Sequence, residues 1–291
     1  MRRWFMAVSG LLTAALFLGA AAAPAPGTAR AVPASVNPAQ DLASFQAYFK
    51  QRFPNIPFAG YVNGPYNFSA SERAQWKEIM QFPPYEFALQ EGKELFETKF
   101  TDGKSYADCF PDGGNGIAQN YPKFDPRSGR VVTLGTLVNQ CRTGNGMKPL
   151  SLTKGDMAAI ETYMADTSRN KPIDIKIPND PRALAAYEAG KEYFYSRRGQ
   201  LNFSCASCHV QSAGRQLRGD TLAPALGMAA IFPIYRSKWG DMGTLVRRFI
   251  GCNVKVRAQP LQADSDRYRD LAYFLTYMSN GLPLAGPAAR P

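Results

Sequence analysis

The sequence predicts an all-α protein of two related helical domains. Two observations carry this. Five short segments recur in the same order in the two halves of the chain, and the clearest apolar stripes have helical spacing. A third is negative: no run alternates apolar and polar residues for long enough to suggest a sheet.

The repeats read as an internal duplication. Residues 88–96 (ALQEGKELF) resemble residues 186–194 (AYEAGKEYF), and 121–124 (YPKF) resemble 232–235 (FPIY). The string GTLV stands at 135–138 and again at 243–246. KPL at 148–150 matches QPL at 259–261, and TYM at 162–164 recurs at 276–278. Any one match is within chance, but five in order are not. Each half then reads as helix, cysteine-bearing loop, proline-rich loop, short helix, loop and terminal helix.

Taken in order, the N-terminus has an export signal: Arg2 and Arg3 followed by an apolar run from 5 to 23. Cleavage after Ala22 or Ala31 suits the small-residue rule, and a retained membrane anchor is the alternative. No other run is long and apolar enough to span a bilayer. Residues 32–80 are expected as an N-terminal extension wrapping the first domain, which covers 81–168. Pro172, Pro178 and Pro181, with Asn170, Asn179 and Asp180, mark a linker over 166–181. The second domain covers 169–291.

In the first terminal helix Thr153 can cap with Asp156 three residues on, and Met157, Ile160 and Met164 form the buried stripe. In the second, Tyr268, Leu271, Leu275 and Met278 share a face, and Asn280-Gly281 supplies the stop. The formal charge is +11. Cleavage after Ala31 removes Arg2, Arg3 and Arg30 from the 34 basic side chains and none of the 23 acidic ones, leaving +8. Such a charge steers acidic partners or small anions, or is simply a basic surface. No basic–aromatic patch marks a nucleic-acid binder.

The chain has five cysteines and one histidine. Cys205, Cys208 and His209 form the Cys-x-x-Cys-His signature of haem c attachment: two thiols add across the porphyrin vinyls, and the next imidazole reaches the iron. A zinc site needs a fourth ligand, and a redox dithiol of the thioredoxin kind needs a preceding strand. The equivalent stretch of the first half, Tyr106 to Phe110, keeps Cys109 but lacks the first thiol and the histidine. That half cannot attach haem c. Its two cysteines, Cys109 and Cys141, are expected to pair in an oxidising compartment. Closing a loop of roughly thirty residues, that bond contributes about 3–4 kcal/mol.

Cys252 is left over. With His209 used, the iron's far side falls to a cysteine, a methionine or nothing. Cys252 lies before the terminal helix, where small c-type cytochromes keep their distal ligand; Met228, Met242 and Met278 also compete. Met278 is better read as core, since Met164 has its place in the haem-less half. A thiolate lowers the reduction potential and a methionine raises it. Arg248 stands one helical turn before Cys252, with Arg247 and Arg257 close by. Such cations favour a thiolate and offer a fork for a sulfur oxyanion. Arg247 reads better as a solvated helix face or a propionate contact.

The export signal, the duplicated halves, the CASCH motif and residues 248–261 (RFIGCNVKVRAQPL) together resemble the SoxA family, the haem-bearing subunits of the SoxAX cytochromes of sulfur oxidation. The resemblance covers nearly all of the mature chain. Its most specific part is the cysteine followed by Val-Arg-Ala-x-Pro-Leu. It implies two cytochrome c-like domains, a periplasmic location and a SoxX-type cytochrome partner. It implies an L-cysteine S-thiosulfotransferase that joins thiosulfate oxidatively to a cysteine of the SoxYZ carrier. Within that pattern Cys252 falls on the haem-ligating, persulfide-bearing cysteine and Arg248 on the substrate arginine. Many members carry a second haem in the N-terminal half. Here Tyr106 and Phe110 break that motif, so one covalently attached haem c is expected. The competing readings are a periplasmic electron-transfer cytochrome with methionine ligation and a haem-based sensing module with an open site.

Overall fold

A computed structural model describes residues 36–291; the expected export signal lies outside the described residues. The first segment holds helices α1 (Pro38–Arg52) and α2 (Ala70–Ile79). The N-terminal half then runs α3 (Tyr85–Glu97), strands β1 (Lys123–Asp125) and β2 (Arg130–Val132), α4 (Leu134–Gly144) and α5 (Asp156–Asp166). The C-terminal half begins with α6 (Pro181–Tyr195) and a small hairpin, β3 (Gln216–Leu217) and β4 (Asp220–Thr221). It continues with β5 (Ile234–Arg236), β6 (Asp241–Gly243), α7 (Leu245–Lys255), α8 (Asp266–Tyr277) and β7 (Ala288–Arg290).

Helices dominate, as expected, but the described residues also hold seven short strands that the sequence pattern does not predict. At two or three residues each, they are too brief to show any alternation. Antiparallel pairs β1–β2 and β5–β6 follow the proline-rich stretches, and β7 adds in parallel to β5. A cis peptide bond precedes Pro122 in one half and Pro233 in the other. From here the two halves keep one register: Pro122 and Pro233, the helix-capping Thr133 and Thr244, and Cys141 and Cys252 are all 111 residues apart. The repeated GTLV strings therefore match about one helical turn out of register. Position is set by the two threonine caps.

Each half closes by crossing its first and last long helices at a glycine. A Cβ on Gly92 of α3 would lie 1.9 Å from the Ala159 carbonyl oxygen of α5. A Cβ on Gly190 of α6 would lie 2.1 Å from that of Asp270 on α8. Both glycines sit in the 88–96 and 186–194 repeat, so the repeat encodes the closest helix contact. Alanine favours a helix interior by up to about 1 kcal/mol over glycine, but forcing these backbones apart costs about 1–3 kcal/mol. Gly190→Ala and Gly92→Ala are accordingly expected to lower the denaturation midpoint. An unchanged or raised midpoint would place the helices further apart.

The terminal helices bury the predicted stripes: Met157, Ile160 and Met164 in α5, and Tyr268, Leu271, Leu275 and Met278 at or beside α8. The cap of α5 differs from expectation. Gly155, not Thr153, is the N-cap residue, while the Thr153 carbonyl accepts the Thr244 N–H at 3.2 Å. The stop after α8 is as read: Gly281 has φ 85°, and the Asn280 side chain bonds both backbone groups of Ile175. These bonds pin the linker along the C-terminal segment.

The extension packs mainly on the second half, while its end, Ile79 and Met80, reaches Tyr85 and Ala158 of the first. Asn37 caps α1 by accepting the Gln40 N–H at 3.1 Å. Asp41 then accepts from Tyr187 at 2.8 Å and pairs with Lys191 at 2.7 Å, both on α6. Phe45, Phe49 and Tyr61 share one core with Tyr187, Phe194 and Phe274. The apolar stripe of α1 thus completes the haem-motif half, whose core lacks cover there.

Candidate functional site

The Cys-x-x-Cys-His stretch starts a short helical segment with a reciprocal cap. Ser204 N–H donates to the Ser207 hydroxyl at 3.1 Å, and Ser207 N–H donates to the Ser204 hydroxyl at 3.0 Å. The first half builds the same cap with Ser105 and Asp108. A π-helical turn over Ser207–Gln211 carries His209. Its buried ring donates from Nδ1 to the Ala223 carbonyl at 2.8 Å, which leaves Nε2 as the free nitrogen.

His209 borders a cavity of about 540 Å³, within the roughly 300–1,000 Å³ typical of cofactor sites. Cys205, Cys208, Arg248 and Cys252 line it too. Helix α7 supplies the last two. Thr244 caps it, accepting the Arg247 N–H, and the helix runs on through Cys252, which therefore lies on a helix rather than in a loop. One turn separates Arg248 from Cys252, so both meet the cavity.

His209 and Cys252 line the same cavity, and the imidazole is among the groups that act on the Cys252 thiol. Burial pushes that thiol up. The Arg248 guanidinium, then the His209 imidazole, and then Lys255 outweigh it and hold Cys252 at about 6. Burial instead raises Cys205 to about 11 and also raises Cys208. Of the three free cysteines, only Cys252 is set up as a thiolate.

Other predicted residues fall differently. Arg247 donates to Asp241 at 2.5 Å and lies 4.4 Å over the Trp239 ring, so it is a structural cation. Arg257 is not brought to the site. It is exposed, sits past α7 at φ 56°, and its carbonyl accepts the Gln200 N–H. Met228 lines the cavity, whereas Met242 packs with Tyr85, Ala158 and Ala289, and Met278 lies in the core.

In the first half Cys109 and Cys141 form a disulfide, with Cα atoms 5.8 Å apart. Cys141 is the counterpart of Cys252 in the 111-residue register, and Cys109 stands where Cys208 does in its motif. The bond therefore joins the equivalents of an attachment thiol and the sulfur opposite His209. Tyr106, Phe110 and Phe96 fill the space around it with stacked rings. Sequence reading missed Arg236, Arg290 and Lys255, which also line the cavity. Nothing local marks them. Arg290 arrives only through the parallel pairing of β7 with β5.

Two attachment thiols, an imidazole with an oriented ring and a sulfur facing it suit a covalently held porphyrin. Helical halves around this site define a protein of the cytochrome c class. The family model "SoxA/TsdA, cytochrome c domain" matches residues 91–173 and 189–284. The L-cysteine S-thiosulfotransferase subunit SoxA of Allochromatium vinosum is 49% identical over 98% of this chain and 100% of its own length. Its counterpart in Chlorobaculum tepidum is 44% identical over 97% of each chain. The crystal structure of SoxXA from Paracoccus pantotrophus superposes with a TM-score of 0.68 at 29% identity, covering 75% of this chain and 84% of that one. The chain belongs to the SoxA family, and its cytochrome c domain implies haem c.

Proposed function

We propose that this chain is an L-cysteine S-thiosulfotransferase subunit carrying one haem c, tethered by Cys205 and Cys208 and ligated by His209 and Cys252. The carrying observation is the meeting of His209 and Cys252 across one cavity with Arg248 beside the sulfur. The overall reaction joins thiosulfate to a carrier cysteine thiol through a new S–S bond. It releases one proton and two electrons and leaves a cysteine S-thiosulfonate. When bound, the haem supplies one-electron steps.

The chain's own groups do the rest. Arg248 forms no ion pair among the described residues, so its fork is free for the sulfonate oxygens. Cys252 would act as a persulfide: its outer sulfur would join the outer sulfur of thiosulfate with loss of two electrons to the cytochrome partner, and the carrier thiolate would then take the S–SO3 unit and release the Cys252 persulfide for the next turnover. His209 is kept in one tautomer by Ala223. Arg257 has no part in this reading.

The similarity to the SoxXA structure supports a SoxX-type cytochrome as partner. The SoxYZ carrier as acceptor and the periplasm as location, reached by the expected N-terminal signal, rest on the sequence resemblance. No helix among the described residues is long and apolar enough to cross a membrane. The common register and paired glycine crossings support an internal duplication with domains at 81–168 and 169–291, of which only the second binds haem. Met228 on the cavity wall supports a second reading, an electron carrier with methionine ligation.

Intact-protein and peptide mass spectrometry separates these. The expected result is one haem per chain on the Cys205–Cys208 peptide and one additional sulfur atom on the Cys252 peptide. An unmodified Cys252 peptide after turnover with thiosulfate would overturn the persulfide step.

A further inference from the structure

Three buried polar atoms on the cavity wall have no hydrogen-bond partner: the Tyr66 hydroxyl, the Thr221 hydroxyl and Arg236 Nε. They come from three separate segments, the extension, β4 and β5. A fourth group joins them. Arg290 of β7 lines the same cavity, its guanidinium 5.6 Å from the Tyr66 ring.

Arg236 and Arg290 are direct partners in the parallel ladder. Like charges placed opposite one another on one face destabilise a sheet. Arg236 is also only 9% exposed, and neither arginine forms an ion pair among the described residues. The nearest acids are engaged elsewhere: Glu72 accepts the Thr221 N–H at 2.9 Å, and Asp220 pairs with Lys238 and Lys255. Burial, then Arg248 and Arg290, pull Arg236 down to about 10. A buried arginine paired across the ladder with a half-buried one, both without acids and ringed by idle donors, is a site built for an anion.

We propose that Arg236, Arg290, Tyr66 and Thr221, on the same cavity as Arg248, form a second oxyanion site that takes the propionate carboxylates of the porphyrin. This rests on the haem c reading above. A porphyrin tethered by its vinyl edge at Cys205 and Cys208 presents its two carboxylates at the opposite edge. The cation at the tether edge is Arg198, which lies 3.6 Å from Cys205 Sγ. Two forked guanidiniums and two hydroxyls match two carboxylates in donor geometry. The C-terminal strand thereby becomes part of the cofactor's anchorage, and the N-terminal extension supplies the opposing wall.

The sulfonate end of thiosulfate offers similar chemistry, and the test distinguishes the two. The midpoint potential of purified holoprotein is measured from pH 5 to 9 for the wild type, Arg290→Leu, Arg236→Leu and Arg290→Lys. The wild type is expected to be flat, because the cations keep the carboxylates ionised. Either leucine variant is expected to show a pH-dependent acid limb, and Arg290→Lys to restore the flat profile. Haem per chain monitors folding. Where a leucine variant does not mature, Tyr66→Phe carries the test, with a weaker acid limb expected. Profiles identical to wild type in the variants would overturn the proposal. A flat profile with a thiosulfate KM raised tenfold or more would overturn it as well, moving the site to the substrate. A wild-type chain without covalent porphyrin would instead sink the haem reading itself, which mass spectrometry shows independently.

Discussion

Cys252→Ala is expected to lower thiosulfate-dependent turnover by on the order of 10³-fold or more, the scale seen when a reacting nucleophile is removed. Covalent haem content should stay at one per chain, because Cys205 and Cys208 are untouched. The reasoning is local. Arg248, His209 and Lys255 hold Cys252 at about 6 against the cost of burial, and the sulfurs of Cys205 and Cys208 would be spent on the porphyrin. Only one free sulfur in the cavity is therefore prepared to exchange with a sulfur anion at neutral pH. Cys252→Met sharpens the test. It retains a sulfur ligand and raises the potential, yet cannot form a persulfide. Turnover in Cys252→Met near the wild-type rate, read in a coupled cytochrome-reduction assay, would remove the sulfur-exchange role.

The second large effect concerns Arg248. Charge-assisted hydrogen bonds contribute about 1.5–3 kcal/mol, so Arg248→Ala should cut kcat/KM for thiosulfate by about 10–100-fold. Arg248→Lys should recover only part of this, since a point charge replaces a planar fork. Arg247→Ala provides the contrast. That side chain is occupied by Asp241 and the Trp239 ring, and its loss should change kcat/KM by less than about threefold. Equal losses in the two alanine variants would assign the effect to general positive charge rather than to a clamp.

Much of this site was legible because its chemistry is local in sequence. Cys205, Cys208 and His209 lie within five positions, and Arg248 and Cys252 lie one helical turn apart, where α7 was predicted. The disulfide between Cys109 and Cys141 is expected from the cysteine count together with the expected export signal. What stayed hidden depends on long-range pairing. Arg290 reaches the cavity because β7 docks beside β5. The extension crosses to the second half because Phe45 and Phe49 find an open face there, and an apolar stripe does not say which face it will cover. Arg257 was drawn in by sequence proximity. A left-handed turn after α7 leaves it exposed and outside the cavity lining.

The repeats carry the same lesson. Gly92 and Gly190 matched for a packing reason, the close crossing of α3 with α5 and of α6 with α8. The GTLV strings matched without one, three positions out of the register that the threonine caps impose. In that register Cys141 of the disulfide stands where the other half has Cys252, and Cys109 holds the place in its own motif that Cys208 holds in the other. Both halves thus close the same space, one with a covalent bond between sulfurs and stacked aromatic rings, the other around a cavity.

The most direct test of sulfur opposite imidazole is a potentiometric titration of the holoprotein followed by its absorption bands. A thiolate on the iron predicts a clearly negative midpoint that rises on Cys252→Met. A clearly positive midpoint in the wild type, unmoved by that substitution and lowered by Met228→Ala, would contradict the account and leave a methionine-ligated electron carrier.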